Sequence, residues 1–166
     1  MCQTVPFKAR WKGLWLQLKG HTWWAMVELY SRDILKLSTT IPNVGEPKSF
    51  THMARKVSRI CGSKLTLWVT LDDDTITDFG LDVKACALGQ AATSLIAQHM
   101  KGMTRAQFQP LDAAYRQMVL DGVADFPKNF QDFCLLKPVH DHKSRRGSAL
   151  LPFDCLTEIF ELSPRT

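Results

Sequence analysis

The chain has 166 residues, 45% of them hydrophobic and 22% charged, which suits one globular domain large enough to bury a core. No apolar run approaches the ~20 residues that a membrane-spanning helix needs, and collagen-like, low-complexity and wholly disordered classes are excluded as well. The net charge of +5 is concentrated at one end: Lys8, Arg10, Lys12 and Lys19 lie in the acid-free residues 1–25, which leaves 17 of the 21 basic groups against all 16 acids elsewhere. The body of the chain is therefore close to neutral. It lacks the broad cationic face that drives phosphate binding by counterion release, so neither nucleic acid nor a membrane is an expected partner.

Residues 1–25 differ from the rest. They hold Trp11, Trp15, Trp23 and Trp24, and Trp11, Leu14, Trp15 and Leu18 fall on one face of a helix with a basic opposite side. An organellar transit segment, a membrane-surface helix and an upstream extension before a start at Met26 are the three readings. The extension is favoured, with residues 26–166 forming the single domain, because Met26 opens directly onto an amphipathic pattern. In that pattern Val27, Tyr30, Ile34, Leu37 and Ile41 step by three and four up to Pro42, which stops the helix. Residues 43–50, with Gly45 and Pro47, read as a loop.

A strand region follows. Leu65, Leu67, Val69 and Leu71 alternate with Thr66, Trp68 and Thr70, the period-two pattern of a half-buried strand. Asp72-Asp73-Asp74 reads as a solvated turn, not a metal site, and Ile76 to Val83 as the returning strand of a hairpin. Residues 52–60 supply a third strand with Arg55 and Arg59 on its outer edge. A helix over 86–101 ends at Gly102. Thr104 and Gln107 resemble a capping box for a short turn, and Pro110 begins the next helix, which Gly122 closes. Residues 123–147 read as mostly irregular around Phe130, Phe133 and Leu136, and a last helix spans about 148–162. The expected fold is α+β: a small three-stranded antiparallel meander with helices packed on it.

The cysteines are Cys2, Cys61, Cys86, Cys134 and Cys155. The odd number, in a chain of this size, argues against a disulfide framework and for a reducing, cytoplasmic setting. Cys61 sits beside Gly62, which leaves its sulfur uncrowded. Cys86 sits where the second hairpin strand meets a helix N-terminus, where free N–H groups favour thiolate. A hairpin returns the chain to its own start, so the two thiols are expected to be neighbours. Cys155, mid-helix, reads as core and His99 as structural.

Ile60 to Thr104, with Lys84-Ala85-Cys86-Ala87 and Lys101-Gly102-Met103-Thr104, resembles the iron–sulfur cluster assembly scaffold family of the NifU N-terminal domain, IscU and SufU. The resemblance continues through Arg145-Arg146-Gly147-Ser148-Ala149-Leu150-Leu151-Pro152-Phe153 and covers roughly residues 27–162. The 62 positions from Cys86 to Ser148 resemble the SufU branch, which carries an insertion before its third ligand. The resemblance implies a nascent iron–sulfur cluster, or a zinc ion, held by three cysteines and an aspartate. The first two ligands then fall on Cys61 and Cys86, whereas the aspartate position holds Ser63 and the third cysteine position holds Ser148; Arg145 matches an arginine three positions before that ligand. Cys134, His140 and His142, on the insertion, are the candidate substitute ligands.

The resemblance thus implies a scaffold or carrier, not a conventional enzyme. It would accept sulfur and iron at a two-cysteine site, with a cysteine desulfurase as donor and cluster-accepting apo-proteins downstream. A weakly held cluster could be shared between the subunits of a homodimer. The alternatives are a SufU-like sulfurtransferase organised by zinc, and a metal-free paralogue that binds partners.

Overall fold

A computed structural model describes residues 31–163. Helix α1 (Arg32–Thr39) is followed by strands β1 (His52–Val57), β2 (Lys64–Asp72) and β3 (Thr75–Lys84). Then come α2 (Ala87–Met100), α3 (Arg105–Asp121), a 3₁₀ stretch over Lys128–Asp141, and α4 (Lys143–Leu162). The strands form one antiparallel sheet in the order β1-β2-β3, the meander expected from the alternation. Among the described residues, four α-helices and the 3₁₀ stretch complete an α+β fold. No described helix is long and apolar enough to cross a membrane. The expectations for residues 1–25, and for Val27 and Tyr30, lie outside the described residues.

One face of the sheet carries Ala54, Leu65, Leu67, Val69, Ile76, Phe79 and Leu81, all buried. The even-numbered Ile76 and the odd-numbered Phe79 and Leu81 share that face because the β2–β3 register shifts at Thr70/Leu71. A bulge adds one residue and reverses the alternation, which simple periodicity over Ile76 to Val83 does not anticipate. Against this face pack α2 and α4, whose Leu88, Leu95, Ile96, Phe153, Leu156 and Ile159 are buried.

Several boundaries differ from expectation, each for a local reason. The first helix begins at Arg32 because the Ser31 hydroxyl accepts the N–H of Ile34. The capping box of Thr104 and Gln107 opens the whole of α3, so Pro110 lies inside that helix and does not begin it. Two reciprocally satisfied N–H groups start the helix upstream, and Pro110 forfeits only one early hydrogen bond. Gly122 closes α3 in the left-handed region at φ 78°. Of the segment read as irregular, 123–127 is so, but Lys128–Asp141 is 3₁₀ on either side of a kink at Phe130 (φ −127°, ψ 23°), with Phe133, Leu136 and Val139 buried. Their spacing of three is the period at which 3₁₀ side chains line up. Arg59 falls past the end of β1, and Asp74, in the triple-aspartate turn, binds Arg105 at 2.9 Å.

Candidate thiol site

Three segments converge at one end of the sheet. The first is the loop between β1 and β2. It is closed by Ser58 N–H to the Ser63 carbonyl at 2.8 Å and by Gly62 N–H to the Ser58 carbonyl at 2.9 Å. Gly62, at φ +69°, supplies the left-handed turn that a side chain would strain. The loop holds Cys61. The second segment is the β3–α2 junction, where Cys86 is the N-cap of α2. The third is the first half of α4, which carries Ser148.

Antiparallel register brings the first two together. Lys64 opposes Lys84, so the loop that leads into β2 and the junction that follows β3 lie at the same end of the sheet. The third is admitted by missing side chains. A Cβ on Gly89 would lie 2.2 Å from Ser148 Oγ, and one on Gly147 would lie 2.9 Å from Ser58 Oγ. Two glycines therefore let α2, α4 and the thiol loop touch.

The result is a chain of short contacts. Cys61 Sγ lies 3.2 Å from Ser58 Oγ and 3.1 Å from Ser63 Oγ. Ser148 Oγ donates to Ser63 Oγ at 3.0 Å, and Cys86 Sγ lies 3.3 Å from Ser148 Oγ. The hydroxyl-bearing residues are almost dry, with Ser58 at 6%, Ser63 at 3% and Ser148 at 0% exposure, so water does not compete for their protons. Both thiols are half-buried and free. Burial pushes the Cys61 thiol up, but hydrogen bonding from Ser58, from Ser63 and from Ser148 outweighs it and lowers the pKa from 9.0 to about 7. Cys155, fully buried, is pushed up to about 12 by its burial, as suits a core thiol.

The candidate substitutes lie elsewhere. Cys134 is disulfide-bonded, a departure from the expected all-thiol chain, and so offers no thiolate. It shares a cavity wall with Gly122, Pro138 and His140, without Cys61, Cys86 or Ser148. His140 rests against Gly122 and accepts from Arg146 Nε through its carbonyl at 2.9 Å. His142 caps α4, and its Nε2 is buried with no hydrogen bond among the described residues. Arg145 sits one turn before Ser148 on α4, forming no ion pair among the described residues. His99 Nε2 lies 2.8 Å from Asp132 Oδ2.

Ser58, Gly89 and Gly147 complete the site, and sequence reasoning missed all three. The signal for Gly89 was present: a glycine inside a helix costs about 1 kcal/mol and usually marks a close approach. The donor set is poorly suited to iron or zinc. It offers two thiols and neutral hydroxyls, and among the described residues no three His, Cys, Asp or Glu side chains are grouped to hold a metal.

Residues 29–136 match the family model described as the NifU-like N-terminal domain. The structure is similar to the crystal structure of a nitrogen-fixing NifU-like protein (N-terminal) from Brucella abortus, with 30% identity, a TM-score of 0.79, and coverage of 82% of this chain and 95% of that one. It also shares its fold with a putative iron–sulfur cluster assembly scaffold protein for the SUF system from Fervidobacterium islandicum, at 22% identity and a TM-score of 0.73, covering 81% of this chain and 98% of that one. No curated protein sequence matches the chain. The chain belongs to the NifU-like N-terminal domain family.

Proposed function

We propose that this family member is a sulfur-accepting carrier in iron–sulfur cluster assembly, with Cys61 as acceptor and Cys86 as its companion thiol. The observation that supports this reading most is the enclosure of the Cys61 sulfur by three serines. Their hydroxyl donors hold the thiolate near neutral pH without the charge of a metal. A thiolate is the nucleophile that takes sulfane sulfur from a donor persulfide, and the family resemblance makes a cysteine desulfurase the donor and apo-proteins the acceptors. Arg145, one turn before Ser148, offers a cation toward an incoming anion.

Iron is cargo in this reading, and Ser63 and Ser148 make its retention weak, because a hydroxyl is a poor substitute for carboxylate or thiolate. The zinc-organised reading requires a complete tetrahedral set, which two thiols do not supply.

The test is incubation of the chain with a cysteine desulfurase and cysteine without oxygen, followed by alkylation and peptide mass analysis. A persulfide on Cys61, lost in Cys61→Ser, is expected; a chain that takes no sulfur at Cys61 overturns the assignment. Anaerobic reconstitution with iron and sulfide, with metal analysis, separates the alternatives. A stable coloured cluster indicates a full scaffold and stoichiometric zinc a zinc-organised acceptor. Neither metal, with no sulfur uptake, indicates a partner-binding paralogue.

A further inference from the structure

Two buried hydroxyls in series link the two thiols. Ser148 Oγ lies 3.3 Å from Cys86 Sγ and 3.0 Å from Ser63 Oγ, which in turn lies 3.1 Å from Cys61 Sγ. Lys64 pairs with Lys84 at this end of the sheet, with Cys61 three residues before the one and Cys86 two after the other. A disulfide forms once movement of the Cys61 loop brings the two Cα atoms within about 4.4–6.8 Å. Cys61 also sits on a loop whose next residue, Gly62, meets nothing within 4 Å of an added Cβ, so the loop has room to move.

We propose that Cys86 resolves the sulfur-loaded Cys61, releasing the carried sulfur as sulfide. This inference rests on the sulfur-accepting reading above. With a persulfide on Cys61, the Cys86 thiolate attacks Cys61 Sγ. The Sγ–Sγ bond forms, the bond from Cys61 Sγ to the terminal sulfur breaks, and that sulfur leaves as hydrosulfide. The terminal sulfur goes from −1 to −2 as the Cys86 sulfur goes from −2 to −1, with Cys61 Sγ unchanged at −1, so release needs no outside reductant. The product is a Cys61–Cys86 disulfide, and each further round takes two electrons from a dithiol. Replacement of a ligand thiolate by Ser148 suits this chemistry, since a bound metal would occupy both sulfurs and block the attack.

The experiment loads the full chain anaerobically with one equivalent of cysteine persulfide. Released sulfide is followed with time, and tryptic peptides are mapped without reduction. Cleavage after Arg59, Lys64, Lys84 and Lys101 places the two thiols in separate peptides, 60–64 and 85–101. About one sulfide per loaded chain and a cross-linked peptide pair are expected. Cys86→Ser, and independently Cys86→Ala, should retain the Cys61 persulfide and release sulfide at least tenfold more slowly. Persulfide on Cys61 with equal release in parent and variants, and no cross-linked pair, overturns this inference alone. No persulfide on Cys61 in any of them overturns the sulfur-accepting reading with it.

Discussion

Ser148 Oγ donates a 3.0 Å hydrogen bond to Ser63 Oγ across a separation of 85 residues. The pair joins the start of β2 to the first half of α4 with two neutral hydroxyls at the two positions where the family resemblance puts a thiolate and a carboxylate. The segments converge on hydroxyls that face sulfur, where the resemblance implies charged metal ligands.

That exchange sets the pH behaviour of Cys61. Its reaction with iodoacetamide should follow a midpoint near pH 7, the value to which its pKa is lowered. Ser63→Ala removes one donor and should move the midpoint up toward 9.0. Because the folded thiol is the stronger acid, its contribution to stability is fully present above the unfolded pKa and is lost as pH falls through about 7. A midpoint unmoved in Ser63→Ala, in rates measured from pH 5 to 10, would show that the serines do not tune the thiol.

Restoring the missing ligands should restore metal binding. Ser63→Asp with Ser148→Cys supplies a carboxylate and a third thiolate beside Cys61 and Cys86, which completes a set of four suited to zinc. Zinc affinity is expected to rise by about 100-fold or more over the parent, roughly 2.7 kcal/mol, as read by competition with a chelating dye. Parent protein that binds one zinc as tightly as the double variant would contradict the account of the donor set.

Gly89 tests the packing that builds the site. In Gly89→Ala the new methyl would sit 2.2 Å from Ser148 Oγ and 2.9 Å from the Ala85 Cβ, so α2 and α4 must separate. Overpacking of this kind costs about 1–3 kcal/mol, a fall in Tm of roughly 3–10 °C for a chain of this size. The Cys61 midpoint should rise as well, because Ser148 is displaced. An unchanged melting curve together with an unchanged midpoint would show that the contact does not hold the site together.

Much of this protein could be read from local pattern. The alternation from Leu65 to Leu71 and the following turn determined a hairpin, and the expectation that Cys61 and Cys86 are neighbours came from that hairpin. The stripe of Leu111, Tyr115, Met118 and Val119 and the closing Gly122 determined most of α3. Local pattern carries such information because side-chain burial in a helix or strand repeats with the backbone's own period. Only the tertiary structure decided the rest. The bulge at Thr70/Leu71, which turns Phe79 inward, depends on how one strand meets its neighbour. The role of Ser148 depends on two glycines, Gly89 and Gly147, on different helices, whose absent side chains allow segments far apart in the chain to touch. Contacts of that kind leave no periodic trace, because they are set by which surfaces fit against each other once the core has closed.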